Sequence, residues 1–498
     1  MHMKNVVLQV ILLLVLAPPA SRAQEVQAPT PTPQWRPRYH FTPEKNWTND
    51  PNGLLYLDGI YHLYNQQNPY ENKWGHMSWG HATSTDLVHW RHLPIALLED
   101  IGEDTTWRFS GSAVWDKDNT SGFCKNGGCI VAVYTADQPN LHKESQFVAY
   151  SNDGGMTLTD YTGDPVIDLH KKDFRDPNVF WYASGRKWIM VVALPAEHKV
   201  RFYGSPNLKE WSLLSEFGPE GFVGAHWECP FLIRLPVNAG SGRQKWVLAN
   251  SAGGQARGPF MQYFVGEFDG VTFKNDNPPD MELTLDYGDC FYAAIPWNGL
   301  PDDQKTFIGW MVPGSGATYP WKGQMSVPRD LALVETGKGL RLVQAPSKVF
   351  MENLVKQSGG KLFAVKELVV DNKAMVLGRA PRGNAYYLKA IIGLKGAASA
   401  GFRLAGAEIG YAASAHALYL DRAGKPRRTV ELPAGADSVQ LEVFFDKSSL
   451  EVFVDGGLYV LSTYIYPAEG ADGVAVFATG GGAVLRDLMM RDLSTIQQ

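Results

Sequence analysis

The chain is short of charge, of cysteine and of long apolar runs, and each shortage closes off a class of function. Charged residues fill 19% of 498 positions, the formal net charge is −5, and no long block carries one sign. A nucleic-acid surface needs a basic footprint, so nucleic acid is excluded as a partner. The four cysteines are Cys124, Cys129, Cys229 and Cys290, and none makes the Cys-x2-Cys pair of a zinc site. Cys124 and Cys129 bracket the turn-forming Lys125-Asn126-Gly127-Gly128; a local disulfide and two free thiols both fit that spacing. Cys229 and Cys290 read as buried thiols. Only residues 6–17 form a long apolar run, shorter than the roughly 20 residues of a membrane span. That run follows Lys4 and precedes Ser21-Arg22-Ala23, the pattern of a signal peptide cut after Ala23. Residues 24–38 follow as a linker, its Pro29-Thr30-Pro31-Thr32-Pro33 stretch stiff and extended. The expected destination is a periplasm or the exterior.

What the chain has in quantity is aromatic residues and a recurring phrase. Fifteen tryptophans suit both cores and sugar-binding clefts. From about residue 40 to 345, a polar residue opens an apolar strand, a turn follows, and a second apolar strand closes the pair. The openers are Asp50, Ser110, Asp176, Glu228 and Asp289, at intervals of 60, 66, 52 and 61 residues. The partner strands are read at 61–64, 130–134, 187–192, 245–249 and 306–311. Between openers runs a second refrain, Ser84-Thr85-Asp86-Leu87, Ser151-Asn152-Asp153-Gly154, Ser205-Pro206-Asn207-Leu208 and Phe268-Asp269-Gly270, each a tight turn between outer strands. Five four-stranded units make a five-bladed β-propeller over residues 39–346, with every opener at the mouth of an inner strand.

Asp50, Asp176 and Glu228 stand at the same point of that phrase, each followed within two residues by proline. Proline cannot donate to a ladder and belongs at a strand's start or edge, so each acid marks where the chain enters a sheet. Around an axis the three would meet, and converging carboxylates are the equipment of glycoside cleavage. After residue 350 the texture changes to short alternating strands, at 362–370, 386–392, 417–420, 439–445, 450–454, 459–466 and 474–477. These predict a C-terminal β-sandwich over 347–498, without helical periodicity and without a catalytic constellation. The fold class is therefore all-β.

Trp47-Thr48-Asn49-Asp50-Pro51-Asn52-Gly53, Phe109-Ser110-Gly111-Ser112, Arg175-Asp176-Pro177 and Glu228-Cys229-Pro230, in that order, resemble glycoside hydrolase family 32. Its members are invertases, inulinases, levanases and related fructan hydrolases. The likeness extends to Ser449-Leu450-Glu451-Val452-Phe453-Val454-Asp455-Gly456 near the end of the chain. It implies a retaining hydrolase of β-D-fructofuranosyl units in fructan or sucrose, with Asp50 as nucleophile, Glu228 as general acid and base, and Asp176 steadying the transition state beside Arg175. It further implies that Asn49, Gln66, Trp74, Phe109 and Ser110 line the fructose pocket. Asp286-Tyr287-Gly288 and Phe291-Tyr292-Ala293 resemble another family segment near that pocket; Trp310 and Trp321 fit its rim and the core equally well.

Several residues depart from the family pattern. Thr48 replaces an apolar residue, Phe231 an aspartate, Cys290 an acid, and Asn65 and Gln67 the aromatic neighbours of Gln66. Two other readings use the same features. An inverting glycosidase acting on arabinan or xylan would hold its acids roughly 6.5–9.5 Å apart, against about 5–5.5 Å for a retaining pair. A noncatalytic carbohydrate-binding propeller would need no proton donor. Calcium prefers six to eight oxygens from a dense loop, which the chain lacks, so neither metal nor cofactor is expected.

Overall fold

The computed structural model describes residues 31–125, 127–253, 258–314, 318–380, 384–433 and 435–497. The expected signal peptide and residues 24–30 of the expected linker lie outside the described residues. Residues 31–38 lie against the rest of the chain. Thr32 bonds Tyr319 through the backbone, Pro33–Trp35 forms a 3-10 turn, and the Arg36 guanidinium stacks on Trp321.

Five sheets occupy residues 46–346. Their first strands are Asn46–Leu57, Trp107–Asp116, Arg175–Tyr182, Glu228–Pro236 and Phe291–Pro296. Each pairs antiparallel with the next strand along the chain, Ile60–Gln67, Cys129–Gln138, Lys187–Leu194, Gln244–Ser251 and Thr306–Met311. The five partner strands read from the sequence fall within these spans. The first strands pack against one another in chain order, and the fifth returns against the first. Strands enclosed on both faces read as near-continuous apolar runs, which is why they were visible in the sequence.

The turn refrain has a mechanism. The Asp86 carboxylate accepts from the amides of Val88 and His89, Asn207 from those of Lys209 and Glu210, and Asp269 from those of Val271 and Thr272. A short polar side chain thus stands in for the next backbone carbonyl and fixes the turn. The fifth sheet lacks the refrain; its outer strands are Arg329–Thr336 and Gly339–Pro346.

Beyond residue 358 two six-stranded sheets face each other across a common core that includes Leu388 and Ile392 from one and Phe402, Ile409 and Val476 from the other. One expectation fails here. An α-helix, Lys348–Gln357, stands where only strands were read, burying Phe350 and Leu354 one turn apart. With two apolar anchors in ten residues, its stripe is too narrow to register as a helical period.

A buried ionic cluster ties the two halves together. His40 contacts Asp446 at 2.8 Å and Glu451 at 2.9 Å, and Arg329 contacts Glu451 at 2.6 Å and Asp286 at 3.1 Å. Ser462 hydroxyl bonds Asp286. Uncompensated charges buried this deeply would be very costly, so the set is retained only as a whole.

Candidate active site

The ladder of every first strand breaks near its N-terminal end. Pairing skips between Thr48 and Pro51, Arg108 and Gly111, Arg175 and Asn178, Glu228 and Phe231, and Tyr292 and Ile295. A bulge leaves residues unpaired and re-aims their side chains, and five bulges at one end aim five sets inward. Asp176 (φ 67°), Cys229 (φ 47°) and Ala293 (φ 53°) hold left-handed backbone there, costing about 1–3 kcal/mol each. Gly53 (φ 53°) is obligatory in the first strand, because a Cβ would lie 2.7 Å from the Tyr64 ring.

The acids do not stand at one register, contrary to the sequence reading. Asp50 lies one residue before pairing resumes, Asp176 two and Glu228 three. The proline offset was a poor ruler because it ignored the bulge. Asp176 is buried, whereas Asp50 and Glu228 are half-buried.

One pocket of about 340 Å³ is lined by Asp50, Asp176 and Glu228, and also by Asn49, Gln66, Trp74, Phe109, Ser110 and Arg175. Asp50 Oδ2 and Asp176 Oδ2 each lie 3.6 Å from the Cys229 sulfur, hence within about 7 Å of one another. Ser110 hydroxyl donates to Asp50 at 2.6 Å. The Cys229 amide donates to Asp176 at 2.8 Å, and the Asp176 amide donates to Thr135. Arg175 reaches Glu228 through Nε at 3.1 Å and Nη2 at 2.9 Å, while its Nη1 holds Glu144 at 3.0 Å. Tyr292 hydroxyl donates to the other Glu228 oxygen at 2.6 Å. Trp74, 52% exposed, meets Phe109 and Trp107 edge-on and forms an apolar wall.

Burial pushes the Asp50 carboxyl up, the Ser110 hydrogen bond pulls it back, and the Glu228 charge adds to the upward push. Burial likewise raises Asp176; Arg175 opposes it, and Glu228 and Asp50 reinforce it. Behind the pocket, burial lifts Glu144 to about 7 against the pull of Arg175. Crowded carboxylates in a dry cleft resist full ionisation, so at least one proton can be held among them near neutral pH. Separated roles for neighbouring acids are how such sites run acid and base chemistry together.

Residues 40–346 match the glycosyl hydrolases family 32 N-terminal domain and residues 353–492 the family 32 C-terminal domain. The chain belongs to glycosyl hydrolase family 32. A levanase of Bacillus subtilis is 40% identical over 93% of this chain and 71% of its own length. The exo-inulinase structure from Aspergillus awamori superposes with a TM-score of 0.84 at 35% identity, covering 92% of this chain and 97% of that one. A fructofuranosidase from Schwanniomyces occidentalis, complexed with fructose, gives 0.81 at 30% identity, covering 93% and 99%.

Of the residues around the pocket, Glu144, Thr135 and Met77, the last lining it directly, carried no sequence signal. Tyr292 had only its place in a likeness, and Cys229 and Cys290 are the buried free thiols expected. Trp310 lines the pocket, whereas Trp321 is buried. Cys124 and Cys129 are joined as a disulfide. Two departures from the family pattern explain each other: Asn65 donates to the Thr48 hydroxyl at 2.8 Å, and Thr48 donates to the Gln66 carbonyl at 3.0 Å. A hydrogen-bonded pair thereby replaces apolar packing beneath Gln66. No described helix is long and apolar enough to cross a membrane.

Proposed function

We propose that the protein is an exported β-fructofuranosidase that releases terminal fructose from fructan or sucrose with retention of configuration. The observation that carries this reading is the convergence of Asp50, Asp176 and Glu228 in one pocket with Arg175, Ser110 and Tyr292 fixing their orientations. Its fructan-degrading and fructose-bound relatives support the substrate class. The five sheets with cyclically packed first strands are the blades of a five-bladed propeller over 39–346, and 347–498 is a β-sandwich.

Asp50 attacks the anomeric carbon as the bond to the leaving oxygen breaks, and Glu228 gives that oxygen its proton. The products of this half are the free alcohol and a fructosyl ester of Asp50. Glu228, now a carboxylate beside Arg175, takes a proton from water as the water oxygen bonds to the anomeric carbon. The ester breaks and Asp50 leaves as a carboxylate. Asp176, held by the Cys229 amide, binds furanose hydroxyls and stabilises positive charge as it develops. Asn49 and Gln66 supply further hydrogen bonds, and Trp74 and Phe109 shape the apolar wall. Sugar is the only partner this chemistry requires, with no metal or cofactor.

Incubation with sucrose, inulin and levan, followed by proton NMR of the first product, tests the reading. β-Fructofuranose released from all or some of them is expected. Inversion would favour an arabinan- or xylan-type propeller glycosidase, and binding without release a lectin. Glu228→Gln should lose far more activity on sucrose than on an activated aryl fructoside, because protonation helps poor leaving groups most.

A further inference from the structure

The first strands carry the catalytic groups at their N-terminal ends, and a second concavity sits at their C-terminal ends. A hollow of about 250 Å³ is walled by Trp115, Trp181 and Trp188, with Asn298 at its floor. Ser110 and Trp115, like Asp176 and Trp181, are five residues apart on one strand, so the two sites lie roughly 17 Å apart through the axis. Asn298 separates them. Its amide group donates to the carbonyls of Ala113 at 2.9 Å and Val179 at 3.0 Å, and its backbone bonds Leu54 and Tyr56. One residue therefore ties three of the first strands across the axis, two through its side chain and one through its backbone.

The aromatic wall is held in place by design of its surroundings. Trp188 Nε1 donates to the Thr120 hydroxyl at 2.9 Å, which donates in turn to Asp116 at 3.0 Å. Asp116 also takes the Thr120 amide and the Ser121 amide and hydroxyl, at 2.8, 2.8 and 2.6 Å. The Trp115 ring lies on Gly128, where a Cβ would be 2.4 Å away, next to the Cys124–Cys129 disulfide. Trp181 remains 39% exposed and meets Trp188 edge-on at 5.0 Å.

A second hollow of about 380 Å³ adjoins the first, sharing Trp181 and Asn298 and adding Trp246, Gln244 and Arg234. The rim carries little net charge, since Asp116 is saturated internally and Lys117 pairs with Asp118 at 3.0 Å. Rigid indole faces, amide and guanidinium donors and near neutrality together select an uncharged polyhydroxylated chain. Two adjoining hollows suit several sugar units better than one.

We propose that this end of the propeller is a noncatalytic binding site for a neutral oligosaccharide segment, with Trp181 as its central platform. Identifying that segment as fructan rests on the activity proposed above. Such a site tethers the enzyme to the polymer it trims, because a second contact raises the local concentration of chain ends.

Affinity electrophoresis through gels containing levan or inulin tests it, comparing Asp50→Asn with Asp50→Asn/Trp181→Ala, so that catalytic-pocket binding is common to both. The tryptophan variant should be retained about three- to tenfold more weakly on at least one polymer. In the active background, Trp181→Ala should leave sucrose turnover unchanged and raise KM on that polymer alone. Equal retention of the two proteins on both polymers would overturn the proposal, even with sucrose and fructan hydrolysis intact. Failure to cleave any fructoside would instead strike the proposed activity.

Discussion

Replacing His40 by glutamine should weaken the protein only where the imidazole would be charged. Burial pulls His40 down, but hydrogen bonds and charge from Asp446 and Glu451 more than offset it, leaving its pKa raised from 6.5 to about 9. A group raised on folding stabilises fully below its unfolded pKa and loses that contribution as pH climbs through its folded one. The window is therefore 6.5 to about 9. A shift of this size corresponds to about 3 kcal/mol, a few degrees of Tm in a chain of this length. Glutamine keeps a neutral donor but brings no positive charge to Asp446 and Glu451, and of the two only Glu451 has Arg329 as a partner. Differential scanning calorimetry from pH 6 to 10 should find a gap between wild type and His40→Gln that is widest near pH 6 and closed by about pH 9.5. A gap independent of pH would mean that His40 is neutral in the folded protein and that the cluster holds by hydrogen bonding alone.

Asp50→Asn should lower kcat by on the order of 10³-fold or more while the circular dichroism and Tm stay close to wild type, since the covalent route is closed without disturbing the core. Ser110→Ala removes the hydrogen bond that holds Asp50 down against burial, so the acid limb of the kcat/KM profile should move to higher pH; an unmoved limb would detach Asp50 from that ionisation. Arg175→Met strips the cation shared by Glu144 and Glu228, and breaking such a buried pair costs about 3–5 kcal/mol. Its loss should appear mainly in kcat, and Arg175→Lys should recover only part of it because one ammonium cannot span both carboxylates. Activity should be unchanged in EDTA, measured on sucrose.

The strand pairs were legible in the sequence because their apolar runs are bounded by turn residues with fixed chemistry, as Asp86, Asn207 and Asp269 illustrate. The helix at Lys348–Gln357 was not, because two buried residues make too faint a stripe. The three acids stood out through their ordered motifs, and they fall in one pocket with the expected wall residues. Their stagger was invisible, since a bulge is set by how two strands pair and leaves little trace in either alone.

The order of motifs along the chain determined the all-β class and the set of acids. Packing decided the rest: that Tyr292 reaches Glu228, that Arg175 bridges Glu228 to Glu144, that Cys229 sits between Asp50 and Asp176. It also decided that Thr48 and Asn65 compensate each other across neighbouring strands, and that three tryptophans from three strands gather at the far end of the axis. Local sequence fixes turns and strand edges through contacts a few residues apart. Contacts between residues dozens of positions apart depend on strand register and twist, which exist only once the sheets have closed on one another.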